Sequence, residues 1–129
     1  MITKEDIEEV ASTPMEMVRE YHETSGQPLD APREEELLGL RMRLLAEEAD
    51  EAGMPAQFSE EILKELADVL YVTYGFAATF GWDLEEAFRR VHKNNMERMF
   101  QDDGTIHYRG DGKIIKNPST PSVYLGDLV

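Results

Sequence analysis

The run SEEILKELADVLYVTYGFAATFG, from Ser59 to Gly81, constrains this chain most. Ser59 is a helix N-cap residue and Gly81 a helix terminator, so the spacing predicts one helix from Glu60 to about Phe80. Ile62, Leu66, Val69, Thr73 and Phe76 repeat at helical intervals, flanked by Leu63, Ala67, Leu70 and Tyr74. Such a helix is apolar over much of its circumference and has to be surrounded. The remaining elements are read as its cover.

Three further helices are predicted around it. Thr13-Pro14-Met15-Glu16 combines a cap, a proline at the first helical position and a capping-box acid, opening a helix to about Thr24 that stops near Gly26. After the loop QPLDAP, a second helix begins near Pro32 and is closed at Ala52 by Gly53 and Pro55. Leu38, Met42, Leu45, Ala49 and Ala52 form its expected core seam. Asp83 with Glu86 opens another helix, carrying Leu84, Ala87, Phe88, Val91 and Met96 and fading near Phe100. Thr3-Lys4-Glu5-Asp6 is a further possible start. Beyond Phe100, TIHYRGDGKIIK places β-favouring runs around the hairpin dipeptide Asp111-Gly112, and NPSTPSVYLGDLV reads as an extended tail. The expectation is an all-α bundle of four to five helices with an irregular or hairpin C-terminal arm. It forms one domain over residues 1–129, with a helical core at about 13–100 and the arm at about 101–129.

Composition narrows the function. The net charge of −14 argues against a nucleic-acid footprint, which needs a basic stripe. No apolar run approaches the length of a bilayer span, and MITKEDIEEV lacks the apolar centre of a signal peptide. With no cysteine there is neither a disulfide nor a thiolate metal site. The reading is a soluble cytoplasmic protein with no nucleic-acid or membrane partner.

The acids carry the chemistry. On the second helix Leu37, Leu40 and Leu44 form another apolar line, and helical steps continue it to Glu47 and Glu51, with Glu48 alongside. On the third, Glu65 and Asp68 are one turn apart on a line that continues to Val72 and Phe76. Carboxylates on core-bordering lines are costly without compensation. The short MPAQF link makes the two helices antiparallel neighbours. Glu47 lies as far before Gly53 as Glu65 lies after Ser59, each roughly 9 Å from the hairpin end. Glu47, Glu48, Glu51, Glu65 and Asp68 therefore converge at one level. Carboxylates this close cannot all ionise without a partner, and a hard divalent cation is the natural one. A solvated acidic face is the competing reading of EExxE alone; the matched ExxD on the next helix argues against it.

EExxE at Glu47–Glu51 and ExxD at Glu65–Asp68, within ELADVLYVTYG, resemble the all-α nucleoside triphosphate pyrophosphohydrolase superfamily of MazG-like proteins. That superfamily includes the dimeric all-α dUTPases, to which this chain is similar. VHKNNMER resembles the family's H-x-x-N-x-x-[KR] segment, at His92, Asn95 and Arg98. DGKIIKNP resembles its DGKxxKP arm, at Asp111, Gly112, Lys113, Lys116 and Pro118. EYHETSG resembles a first-helix segment near the nucleotide, at His22 and Gly26. The resemblance implies Mg²⁺-dependent hydrolysis of a nucleoside triphosphate to monophosphate and pyrophosphate, with Mn²⁺ able to substitute. It implies metal ligands at Glu48, Glu51, Glu65 and Asp68, with Glu47 and Glu48 as catalytic carboxylates, Glu47 orienting the attacking water. It further implies phosphate contacts from His92, Asn95, Arg98, Lys113 and Lys116, a base or ribose pocket at His22 and Arg109, and a homodimer or homotetramer.

Water attack at phosphorus needs charge neutralisation and alignment more than a covalent nucleophile, which suits a chain with no Ser/Cys–His pairing. Trp82 and the seven methionines are read as packing, and His107 and Asp50 as surface. Two alternatives stand beside this reading. Phosphoribosyl-ATP pyrophosphohydrolase shares the acid logic, although the DGKxxKP arm and EYHETSG favour the MazG-like branch. A non-catalytic acidic helical interaction module is the alternative of another class.

Overall fold

A computed structural model describes residues 13–53 and 59–129. The described residues form four α-helices and no strand: α1 (Pro14–Ser25), α2 (Glu35–Ala52), α3 (Glu60–Phe80) and α4 (Leu84–Met99), followed by a short 3₁₀ turn at Gly126–Leu128. This is the expected all-α class. The helix start suggested at Thr3 and the MPAQF link lie outside the described residues. The chain divides into two compact units, one ending at Trp82 and one spanning Asp83–Val129.

In the first unit α1 and α2 both pack on α3. The Thr13 hydroxyl caps α1 by accepting from Glu16 N–H at 3.2 Å, and Gly26 ends it with φ 76°. That left-handed backbone favours glycine. Helix α2 begins three residues later than its sequence suggests. The reason lies in the loop before it. Asp30 and Ala31 N–H groups donate to the Ala78 and Thr79 carbonyls at 3.1 and 2.7 Å, capping the end of α3. Arg19 locks the same loop by forking onto Asp30 at 3.0 and 2.6 Å. The Arg19 guanidinium holds the Asp30 carboxyl below the ordinary carboxylate range. The chain leaves this dock extended, and only at Glu34 does a carbonyl accept the first α2 bond, from Leu38 N–H.

The core sits where α1 crosses α3. Val18, Ala77, Ala78 and Thr79 are its buried side chains, and the Thr79 hydroxyl donates to Gly75 O at 2.7 Å. Its polar content departs from the sequence reading. His22 and Arg41 are 2% and 5% exposed. The His22 Nδ1–H donates to Pro28 O at 3.0 Å, which fixes the tautomer because a carbonyl can only accept. Arg41 Nη1 donates to Gln27 Oε1 at 3.3 Å, while its buried Nε has no partner. Gly75 makes room for both. A Cβ there would lie 2.4 Å from Arg41 Nη2 and 3.1 Å from His22 Nε2.

The expected leucine seams are less covered than predicted. Leu63, Leu66 and Leu70 on α3 are 71%, 53% and 59% exposed, and Leu38 and Met42 on α2 are also exposed. The buried residue of α2 is Arg41. Trp82 packs as expected, stacking on Phe80 and Phe76 with centroids 5.0 and 5.9 Å apart.

In the second unit α4 is bound to the arm. Asp83 Oδ1 caps α4 by accepting from Glu86 N–H at 3.0 Å. Arg90 forks onto Asp127 at 2.6 and 2.9 Å, and Asn94 donates to Pro121 O at 2.8 Å. Asn117, almost fully buried, donates from its amide to Phe100 O and Asp102 Oδ1. The hairpin expected at Asp111-Gly112 is a tight turn with one bridge, Tyr108 to Ile114, and Gly112 has φ 89°.

Candidate metal centre

Helical spacing brings three of the predicted acids together. Glu48 comes from the last third of α2, and Glu65 and Asp68 from the first half of α3. One carboxylate oxygen from each lies within 4.8 Å of the other two. Their origin is the register read from sequence: the two helices pack antiparallel, and the acids occupy equivalent depths from the connection.

Exposed acid clusters occur on many helices without any ion. Two observations set this one apart. Oε2 of Glu48 and Oε2 of Glu65 are buried and have no hydrogen-bond partner. The Glu65 side chain is only 12% exposed. Orphaned carboxylate oxygens in such a place are expensive. Burial pushes the Glu48 carboxyl up, and the charges of Glu51, Asp68 and Glu65 push it further. Both effects disfavour the ionised form, and a divalent cation would reverse both. The donor set is all carboxylate oxygen, which suits a hard ion such as Mg²⁺ rather than a thiophilic one. The residues therefore fit the group.

Glu51, one turn beyond Glu48, adds its charge beside the triad, and its side chain is exposed. Glu47 is also exposed. Sequence reasoning missed Lys64, whose ammonium lies 2.6 Å from Asp68 Oδ2 and 3.6 Å from Glu65 Oε1. Its i,i+4 spacing to Asp68 was the available signal. It also missed Arg41, seven residues before Glu48 and so two turns along the same face, roughly 10.5 Å away. His22, expected in a base or ribose pocket, is enclosed beside Arg41 and Pro28, and burial lowers its pKa.

The predicted phosphate contacts all belong to the second unit. His92 and Asn95 are exposed on α4, and Lys113 and Lys116 are exposed on the arm. Arg98 is half-buried, with its Nε enclosed and unpartnered. Arg109 forks onto Asp111, which depresses the Asp111 carboxyl. That pairing orders the turn.

An antiparallel helix pair carrying facing glutamates and an aspartate defines a candidate metal-dependent phosphohydrolase centre. The phosphoribosyl-ATP pyrophosphohydrolase family matches residues 18–95, which contain the whole triad, and the chain belongs to that family. The family is part of the MazG-like all-α nucleoside triphosphate pyrophosphatase superfamily, whose members hydrolyse pyrophosphate bonds in nucleotide-like substrates. No curated protein matches the chain at a significant level. Among the described residues no helix is long and apolar enough to cross a membrane.

Proposed function

We propose that this protein is a Mg²⁺-dependent pyrophosphohydrolase that cleaves a nucleoside triphosphate between its α and β phosphates, releasing the monophosphate and pyrophosphate. The observation that carries the reading is the convergence of Glu48, Glu65 and Asp68 with two buried, unpartnered carboxylate oxygens. In this reading Glu48, Glu65 and Asp68 hold Mg²⁺, Glu51 completes the ligand set, and Mn²⁺ can substitute. The bound ion supplies neutralisation of phosphate charge and a water of lowered pKa. Glu47, exposed on the same stretch of helix, orients the attacking water and takes up its proton. Asn95, Arg98, Lys113 and Lys116 bind phosphate oxygens, and Arg98 has the planar donor fork suited to that contact. His92 is a further phosphate contact. The exposed leucines of α3 support assembly into a homodimer or homotetramer.

Two substrates compete. The family match favours phosphoribosyl-ATP, itself a triphosphate cleaved at the same bond. The DGKIIKNP arm, outside the matched residues, and EYHETSG favour a deoxynucleoside triphosphate used in pool housekeeping. Incubation with Mg²⁺ and, separately, phosphoribosyl-ATP, dUTP and each common dNTP identifies the substrate by the monophosphate formed. Turnover of phosphoribosyl-ATP alone selects that substrate over the deoxynucleoside triphosphates. No turnover of any of them, or orthophosphate as the first product, contradicts the reading.

A further inference from the structure

The triad already has a cation against it. Lys64 precedes Glu65 directly and Asp68 by four residues, so its side chain lies over both. Its ammonium makes a 2.6 Å contact to Asp68 Oδ2 and a 3.6 Å contact to Glu65 Oε1. An exposed lysine–aspartate pair on a helix is ordinarily of little consequence. This pair differs in its acceptors, since both belong to the three carboxylates that could hold a metal ion. An ammonium at this distance offsets the carboxylate charge that would attract a metal ion, and it is itself repelled by a divalent cation on the same carboxylates. The two cations therefore compete for the site.

We propose that Lys64 is the resident counter-ion of the site: it neutralises Glu65 and Asp68 when no divalent ion is bound and withdraws when one arrives. Metal loading is then an exchange of cations rather than a simple addition. The proposal rests on reading the triad as a metal centre. Lysine suits the role. Its charge sits on a flexible four-carbon stem, and the side chain is 67% exposed, so it can swing into solvent without disturbing packing. The arrangement lowers repulsion among the acids in the empty site and weakens apparent metal affinity.

The test is Mn²⁺ binding to the full chain, followed by electron paramagnetic resonance in 0.5 M KCl, where screening acts beyond about 4 Å. Lys64→Met should bind Mn²⁺ about 1.5- to 5-fold more tightly than wild type, the fold-change corresponding to one exposed ion pair. Arg43→Met removes the same charge from α2 without touching the triad, and should bind like wild type. In a second readout, Mg²⁺ titration should move the Lys64 side-chain ¹³Cε and ¹⁵Nζ resonances to those of a free lysine. Equal affinity in Lys64→Met and wild type, or a Lys64 signal unchanged at Mg²⁺ saturation, overturns the exchange alone. Absence of Mn²⁺ binding by the wild type overturns the metal reading together with it.

Discussion

Gly75→Ala is a substitution whose expected sign is opposite to helix propensity. Gly75 lies in the interior of α3, where alanine is favoured over glycine by about 1 kcal/mol. In an open position the change stabilises. Here the added methyl would sit 2.4 Å from Arg41 Nη2 and 3.1 Å from His22 Nε2. The arginine is the far end of a long side chain, but it is 5% exposed and has little room to retreat. Its displacement loosens the bond to Gln27 and presses on a ring anchored to Pro28. Overpacking of this kind costs about 1–3 kcal/mol, so the propensity gain is cancelled or reversed, leaving up to about 2 kcal/mol of destabilisation. Gly39→Ala is the internal control. Its Cβ would meet only Arg43 Nη1 at 3.5 Å, an ordinary contact, so it should stabilise by up to about 1 kcal/mol. Urea unfolding at fixed protein concentration measures both. Gly75→Ala in an Arg41→Ala background should recover the lost increment, because the clashing group is gone. A Gly75→Ala protein as stable as Gly39→Ala would refute the buried Arg41–His22–Gly75 arrangement.

Burial lowers the His22 pKa, so the unfolded chain binds a proton that the native ring refuses. Stability should be full above about pH 6.5 and fall below it by up to about 1.4 kcal/mol per pH unit; His22→Gln should flatten that slope in pH-dependent unfolding. The raised Glu48 carboxyl signals unfavourable ionisation in the empty site, so Glu48→Gln should raise the thermal midpoint in EDTA. The same variant should lower Mg²⁺-dependent turnover by more than about 100-fold, beyond the loss typical of groups that merely orient ligands. Asp83→Ala removes the α4 cap and should cost about 1 kcal/mol in the same unfolding assay, whereas Asp83→Ser should cost less.

Much of this architecture was legible in the sequence because local signals agreed with one another. Thr13, Gly26, Ser59, Gly81 and Asp83 mark helix ends within a residue or two of where they fall. The triad was legible because helical spacing and a short link together fix which turns of α2 and α3 face each other. The surroundings of Arg41 and His22 were not. A reading that assigns charged groups to the surface cannot see a glycine on another helix opening space for a guanidinium. The leucine seams misled for a related reason. Apolar spacing reports that a face will be covered, not which surface covers it, and Leu63, Leu66 and Leu70 stand exposed on the single chain. The late start of α2 depended on backbone bonds from Asp30 and Ala31 to the end of α3, a tertiary contact without a local signature. The bond of α4 to the arm through Arg90–Asp127 was equally non-local.

Turnover with Mg²⁺ in ¹⁸O-water, followed by ³¹P NMR, tests whether Glu48, Glu65 and Asp68 serve water attack at the α-phosphorus. The expected result is label in the monophosphate and none in pyrophosphate, with turnover lost in a folded Asp68→Asn variant. Label in pyrophosphate, or undiminished turnover by that variant, would contradict it.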